Sequence, residues 1–276
     1  MQRLDIHHSE ANGTRPGQSP LDEADARAMV RLLGEVAGMA EADHADRKRA
    51  LMDGLCRLIG ADFWLWGLAS RFKPGQQPDY AMMLHGGFGT DQLSKFLVAV
   101  DHPDLAALTS PIAAEVARDQ NHITRLRQDM DPAGRFSASA ACQLWQAADV
   151  GPLVLSFYPV HQSSISVTAI YRRFDSPPFD RRECKIAHIV LSEVPWVHEE
   201  GWPAQPVRRV PSLAPRHRLA LNLLLEGLGR KQVADHMGIS IHTANDYVKA
   251  VYAHFQVNSQ AGLVARFRIG DGHDTP

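Results

Sequence analysis

The sequence predicts an α+β domain with an antiparallel sheet, followed by a smaller all-α domain of four helices. Within residues 21–198 the spacing of apolar residues changes from a helical period to an alternating one and back. Residues 199–212 contain three prolines and a glycine, which is typical of a semi-stiff linker. Residues 213–270 hold four helical stretches with short turns between them and form the second domain.

The first domain begins with two helices and a β-hairpin. Apolar residues recur at three- and four-residue steps within residues 21–42, and the next helical stretch ends at Gly60. Phe63–Phe72 and Tyr80–Leu84 are rich in aromatic and apolar residues and flank a turn with prolines and glycine, which predicts the hairpin. Helical structure is expected over about Thr90–Arg127.

Two more strands and a closing helix complete this domain. Leu153–Tyr158 and Ser164–Arg173 are predicted as strands. Asp180 and Glu183 form a capping-box pair at the start of the last helix, and Pro195 kinks or ends it. One face of the second strand is predicted to be buried and the other to be more polar. The buried face carries Ile165, Val167, Ala169 and Tyr171, and the other carries Ser164, Ser166, Thr168 and Arg172.

Composition indicates a globular, cytoplasmic protein. No apolar run approaches the roughly 20 residues of a membrane span, and no secretory signal is present. Residues 1–20 are predicted as a flexible arm and residues 271–276 as a tail. The three cysteines lack the spacing of a disulfide framework or a zinc site, and no metal or cofactor is predicted.

Positive charge is concentrated near the carboxyl end. Residues 212–270 carry seven Lys or Arg and three acidic residues, a net charge of +4, whereas residues 1–211 carry −4. A small basic domain beside a larger acidic one suggests a module that binds a polyanion.

The second domain contains a short helix, a glycine turn and a longer helix. Arg230–Met237 is predicted as the short helix, Gly238 as part of the turn, and Ser240 as the N-cap of a helix over about Ile241–Gln256. This order is that of a helix-turn-helix motif, whose second helix enters the major groove of DNA.

The longer helix has a polar side opposite an apolar one, because a helix turns 100° per residue. His242, Asn245, Asp246 and Lys249 lie on the polar side, and Ala244, Val248, Val251 and Phe255 lie on the apolar side. Asparagine can bond adenine, lysine can reach guanine, and aspartate can accept a hydrogen bond from cytosine. The polar side therefore suits base recognition, and a solvated face without a ligand is the alternative interpretation.

The segment LAPRHRLALNLLLEGLGRKQVADHMGISIHTANDYVKAVYAHFQVNSQAGLVARF resembles LuxR/GerE-type helix-turn-helix transcriptional regulators. The resemblance covers about 55 residues and implies that Asn245, Asp246 and Lys249, with His242 beside them, face the bases. It also implies a phosphate-contacting set and a dimer contact through a last helix over about Ser259–Ile269. The phosphate set is Lys231, Ser240 and Thr243, and the dimer residues are Leu263, Val264 and Phe267.

The segment departs from the family at several positions. The acidic residues usual in the first helix are His217 and Leu219, the usual lysine is Asn245, and the usual glycine is Gln256. Ala244 stands for the usual valine, and Tyr247 for the usual histidine. Loss of a lysine beside Asp246 implies modest intrinsic affinity for DNA and some reliance on dimerisation.

Residues 21–198 resemble a GAF/PAS-like sensor domain, on the segment SVTAIYRRFDSPPFDRRECKIAHIVLSEVPWVH. The competing resemblance is to the autoinducer-binding domain of LuxR-type regulators, with D-H-P at 101–103 similar to its Asp-Pro motif. Six residues are candidates for a ligand pocket, with core packing as the alternative. They are Trp64, Trp66, Tyr80, Met82, His85 and Tyr158.

These observations predict a sequence-specific transcriptional regulator that binds double-stranded DNA as a homodimer. A small molecule or a protein would signal to its first domain. No nucleophile, phosphate-loop or metalloprotease motif supports an enzyme. The alternative is a ligand-binding or protein-interaction module whose last helices dock on a protein partner.

Overall fold

The computed structural model describes residues 21–39, 42–70, 79–100, 102–161, 164–200, 215–225 and 227–268. The first domain is built on a five-stranded antiparallel sheet of order β2-β1-β5-β4-β3. The strands are β1 (Phe63–Ser70), β2 (Asp79–Gly86), β3 (Ile123–Leu126), β4 (Leu153–His161) and β5 (Ser164–Tyr171). Together with the helical second domain, this confirms the predicted fold class.

Helices cover both faces of this sheet. On one face lie α1 (Glu23–Ala37), α2 (His44–Ile59), α7 (Arg181–Ser192) and α8 (Pro195–Glu199). On the other lie α3 (Thr90–Val100), α4 (Pro103–Asp119) and α6 (Ala140–Ala147), with the one-turn helix α5 (Arg127–Met130) at the β3 edge. The sheet therefore forms the middle of a three-layer domain.

The residues that were predicted to begin or end helices of the first domain do so in the structure. Gly60 follows α2 with φ +62°, the left-handed conformation that glycine adopts most readily. The capping box of Asp180 and Glu183 starts α7, and Pro195 begins the separate helix α8. Glu199, predicted as linker, is the last residue of α8.

One sequence-based expectation for the sheet is wrong. Ile123–Leu126 lies inside the stretch predicted as helical, but it pairs with β4 as the edge strand β3. The more polar face of β5 is buried as well, since Ser166 and Thr168 lie fully buried beneath the helices. Polar side chains there need partners inside the protein.

Arg172 follows β5 and joins the closing loop to α2. Its guanidinium donates hydrogen bonds to the carbonyl oxygens of Ile59 and Gly60, at 2.6 and 2.8 Å. It also bonds Glu183 at 2.6 Å and covers the Phe179 ring, with only 8% of the residue exposed. This arginine therefore connects three segments of the first domain.

The second domain contains α9 (Pro215–Leu225), α10 (Arg230–Met237), α11 (Ile241–Phe255) and α12 (Gln260–Arg268). Helix α11 packs against α9 and α10, and α12 packs across α9. Helices α9 and α10 also pack against α3 of the first domain. Among the described residues, no helix has the length and apolar content of a membrane span.

Candidate nucleic-acid interface

The turn between α10 and α11 is specified by two residues. Gly238 ends α10 at φ +61°, and the Ile239 N–H closes the turn on the Ala234 carbonyl at 3.1 Å. Ser240 begins α11, where its hydroxyl accepts a hydrogen bond from the Thr243 N–H at 3.1 Å. The predicted helix, turn and N-cap are all present.

The apolar side of α11 forms the core of the second domain. Ala244, Val248 and Val251 are completely buried and Phe255 is 5% exposed. They belong to one apolar cluster with residues of all three neighbouring helices. These residues include Leu224 of α9, Val233 of α10 and Leu263 of α12, each fully buried. This packing rotates the polar side of α11 to the protein surface.

Three of the four predicted base-facing residues are freely accessible. His242, Asp246 and Lys249 are exposed, and the Lys249 and Asp246 side chains retain 71% and 58% of their surface. The Lys249 ammonium lies 3.9 Å from the Asp246 carboxylate, a solvated pair that contributes little energy. Lys249 can therefore leave Asp246 for a base at small cost.

Asn245 differs from these three. It is half-buried, and its side-chain oxygen is enclosed without a hydrogen-bond partner. A buried amide oxygen without a partner costs free energy, so a new donor that reached it would be favourable. Asn245 therefore lies at the edge of the exposed face and not at its centre.

The residues of the predicted phosphate set lie around the amino-terminal ends of α10 and α11. Lys231 is exposed in the first turn of α10. Ser240 is exposed and Thr243 is half-buried, and their hydroxyl oxygens are 2.9 Å apart. Backbone N–H groups at helix starts attract anions, so this position suits a phosphate.

Sequence reasoning missed two features of this surface. Ile241, at the start of α11, is 48% exposed next to His242. The Tyr247 ring packs edge-on against His217 of α9, at 4.8 Å between centroids. Ile241 is the first residue of α11, so no preceding helical turn covers its side chain. Its position at the helix start could therefore have predicted its exposure.

The predicted dimer helix is present as α12, but one of its three residues faces inward. Leu263 is fully buried within the domain, where it supports α9, and so it is not available to a second chain. Val264 is half-buried and remains available. The side chain of Phe267 lies outside the described residues.

The described candidates for the ligand pocket lie on both faces of the sheet. Trp64 and Trp66 are buried and donate hydrogen bonds to Asp53 and Ser166, at 2.8 and 2.7 Å. His85 is the cross-strand partner of Leu65, so both side chains lie on the face of the sheet that is opposite to Trp64 and Trp66. Tyr158 stacks on His198 at 4.2 Å, and the side chains of Tyr80 and Met82 lie outside the described residues.

Two cavities of the first domain are lined by residues that the structure describes. An apolar one of about 40 Å³ lies between the sheet and helices α3 and α4. It is lined by Leu65, Gly67, Val100, Leu105, Thr109, Leu153, Leu155, Val167, Ala169 and Tyr171. A polar one of about 390 Å³ opens at the β3 edge and is lined by residues 121–125 with Glu115, Asp119 and His188. Of the candidates whose side chains are described, Trp64, Trp66, His85 and Tyr158 do not line either of these cavities.

Buried histidines run inward from the polar cavity. His122 stacks on His188 at 4.5 Å and bonds the Ser156 hydroxyl at 2.7 Å. Farther inside, His198 bonds the Ser166 hydroxyl and the Leu191 carbonyl, both at 2.9 Å. Burial lowers the pKa of His122 to about 4 and that of His198 to about 3. Both are neutral at pH 7.

Lys48 lies on the same face of the sheet and is fully buried. Its ammonium group donates a hydrogen bond to the Glu200 carbonyl at 2.7 Å and lies over the Trp66 ring. Burial lowers the pKa of Lys48 to about 7, against the opposing charge of Glu200. The neighbouring Arg47 pairs with the Glu200 carboxylate at 2.5 Å. Two residues of α2 thus hold the end of the first domain.

Comparison with known proteins agrees with the geometry of the second domain. Residues 211–267 match the family of bacterial regulatory proteins of the LuxR type, described as "Bacterial regulatory proteins, luxR family". No curated protein sequence matches the chain.

Similar solved structures include two of SdiA. The crystal structure of Escherichia coli SdiA has a TM-score of 0.42 and 12% identity, over 87% of this chain and 95% of that one. SdiA in complex with octanoyl-rac-glycerol has a TM-score of 0.41 and 11% identity, over 90% of this chain and 96% of that one. The GAF-like resemblance of residues 21–198 stays a prediction.

The helix-turn-helix geometry and the matched family agree on the same segment. Residues 211–267 are a LuxR-family helix-turn-helix domain.

Proposed function

We propose that the protein is a sequence-specific DNA-binding transcription regulator, in which α11 enters the major groove and the first domain controls the second. The observation that carries this is the two-sided geometry of α11. Its apolar side is fully buried while His242, Asp246 and Lys249 project from the surface. A rigid helix with free polar side chains fits the dimensions of the major groove.

Contacts to the DNA divide into two groups in this proposal. His242, Asn245, Asp246 and Lys249 contact base edges, and Ile241 adds an apolar contact suited to a thymine methyl group. Lys231, Ser240 and Thr243 contact phosphates and position the helix. Residues 21–198 receive a small-molecule or protein signal, and a homodimer that uses α12 presents two α11 helices to the two half-sites of an operator.

The test is DNA binding by the full chain as a function of salt. Genomic fragments recovered with the protein are titrated at several salt concentrations. The logarithm of the binding constant should fall against the logarithm of salt with a slope of about −0.9 for each phosphate neutralised. Absence of salt-dependent binding to every recovered fragment would overturn the proposal.

The matched control compares lysines in the two domains. Lys249→Ala should weaken binding to the recovered sites. Lys185→Ala, which removes an exposed lysine from α7, should leave binding unchanged. Equal losses for both variants would show that general positive charge binds the DNA and that α11 has no special part.

A further inference from the structure

The polar cavity at the β3 edge is a separate site from the apolar cavity. Its volume is about 390 Å³, and none of its lining residues lines the apolar cavity. Seven of its eight lining residues are polar. Ligand pockets measure roughly 300–1,000 Å³ and are mostly apolar. A polar cavity near the lower end of that range therefore suits a small polar molecule.

The side of this cavity that α4 forms is acidic. Glu115 and Asp119 lie four residues apart near the end of α4, so both carboxylates lie on the same side of the helix. Asp119 accepts hydrogen bonds of 2.7 and 2.8 Å from the exposed Arg118. The nearest cation to Glu115 is Arg125 at 3.6 Å, which is too long for a hydrogen bond. The Glu115 carboxylate is therefore available to a better donor.

The side that β3 and α7 form presents hydrogen-bond donors. The Arg125 side chain of β3 is 43% exposed, and its solvated pair with Glu115 contributes little energy. His188 of α7 lines the same cavity. Its Nδ1 atom is bonded to the Thr124 hydroxyl at 3.1 Å, which leaves Nε2 for a ligand.

A chain of hydrogen bonds decides which nitrogen of His188 carries the proton. The His122 Nδ1 atom is buried without a partner, and a buried N–H without an acceptor is rarer than a buried acceptor without a donor, so the His122 proton lies on Nε2. That N–H donates to the Ser156 hydroxyl at 2.7 Å. Ser156 donates to Thr124, and Thr124 donates to His188 Nδ1, both at 3.1 Å. Burial lowers the pKa of His188, so the ring is neutral at pH 7 and carries its single proton on Nε2.

Acidic groups on one side and donors on the other match a ligand with the opposite arrangement of charge. An ammonium group suits Glu115 and Asp119, and a carboxylate suits Arg125 and His188, because bonds between charged groups are the strong ones. A simple anion would be repelled by the two carboxylates, and a simple cation by Arg118 and Arg125. Among the described residues, no three His, Cys, Asp or Glu side chains are grouped for a metal ion.

We propose that the cavity at the β3 edge binds a free α-amino acid, with its ammonium group on Glu115 and Asp119 and its carboxylate on Arg125 and His188. The amino acid separates the loose pair of Glu115 and Arg125 and gives each a closer partner. Thr124 acts through His188 as a positioning residue, because it holds the ring and keeps the proton on Nε2. This inference does not depend on DNA binding.

The test is isothermal titration calorimetry of the full chain with each proteinogenic L-amino acid in turn. At least one should bind in the millimolar range or more tightly. Its N-acetyl form lacks the ammonium group, and its primary amide lacks the carboxylate. Both derivatives should bind about tenfold or more weakly, because each loses a charge-assisted hydrogen bond.

Substitutions locate the binding on this cavity. Glu115→Gln and Arg125→Gln should each weaken binding by about tenfold or more, and both side chains are exposed enough for the chain to fold without them. Glu193→Gln, which changes an exposed carboxylate at the end of α7, is the matched control and should bind normally. His188→Gln keeps an amide N–H near the position of Nε2 and should bind better than His188→Asn, which is too short.

Three results would overturn the proposal. If no L-amino acid binds in the millimolar range, the cavity has a different occupant. If the N-acetyl form binds as tightly as the free amino acid, the carboxylates of α4 do not recognise an ammonium group. If Glu115→Gln and Arg125→Gln both leave binding unchanged, the amino acid binds elsewhere on the chain.

Discussion

Strand β5 and helix α11 each have a polar side and an apolar side, but the polar side of β5 is buried and that of α11 is exposed. Ser166 and Thr168 of β5 are completely buried, and Ser166 is bonded to Trp66 and His198. Asp246 and Lys249 of α11 are exposed, and their 3.9 Å pairing in solvent is weak.

The difference lies in what covers each side. Helices α2, α7 and α8 close over the polar face of the sheet, where Ser166 is hydrogen-bonded inside the protein and the Thr168 hydroxyl is buried without a hydrogen-bond partner. No other element of the described chain packs closely on the outer side of α11, so its polar groups are available for binding. Polar substitutions should therefore change folding in the first domain and recognition in the second.

The largest effect is expected for Arg172→Met. The change removes bonds to two carbonyls and to Glu183, and should lower the free energy of unfolding of the first domain by about 3–5 kcal/mol. Urea unfolding followed by tryptophan fluorescence measures it, because all five tryptophans precede residue 211. Arg173→Met changes a neighbouring arginine that is 61% exposed and should cost less than about 1 kcal/mol. Similar losses of unfolding free energy for both variants would contradict the view that buried polar groups stabilise the first domain more than exposed ones do.

Acid should weaken the first domain through its buried histidines. The pKa values of His122 and His198 are lowered to about 4 and 3 in the folded state, against 6.5 for a free histidine. Between pH 6.5 and 4 the unfolded chain binds more protons, so stability falls as the pH falls. The loss between pH 7 and 4.5 should be about 5 kcal/mol, shared between the two histidines. His122→Asn should remove about half of this dependence, and a flat profile for the unmodified chain would exclude the mechanism.

Removal of single lysines should separate the two kinds of DNA contact. Lys249→Ala should change discrimination at one base pair by about 1–3 kcal/mol, because Lys249 projects from α11. Lys231→Ala should weaken all sequences alike and reduce the salt slope by about 1. Competition binding against single-base variants of one site measures both. Thermal unfolding should be unchanged in both variants, and a uniform loss for Lys249→Ala would refute its base-reading role.

The smallest effect is expected at Gln256, which ends α11 in the left-handed conformation at φ +54°. Gln256→Gly should stabilise the second domain by up to about 1 kcal/mol, because glycine has no side chain to clash there. Slower hydrogen exchange in α11 would show it. Gly238→Ala, at φ +61° in the preceding turn, is the reverse control and should speed that exchange.

The sequence predicted α11 correctly because the apolar residues that are buried and the polar residues that are exposed lie within the same continuous helix. It did not predict β3, since Ile123–Leu126 is too short to show a period and lies between helices. It did not predict the burial of Ser166. This residue is covered by elements far away in the chain, and residue spacing contains no information about them. The candidate pocket residues were scattered for the same reason.

The bond between Lys48 and the Glu200 carbonyl has a further consequence for how force passes along the chain. Both the ammonium and the neutral amine carry N–H groups, so this attachment survives titration of the lysine near pH 7. Force that reaches Glu200 from the carboxyl-terminal side would therefore act first on helix α2, beside Trp66 and the middle of the sheet.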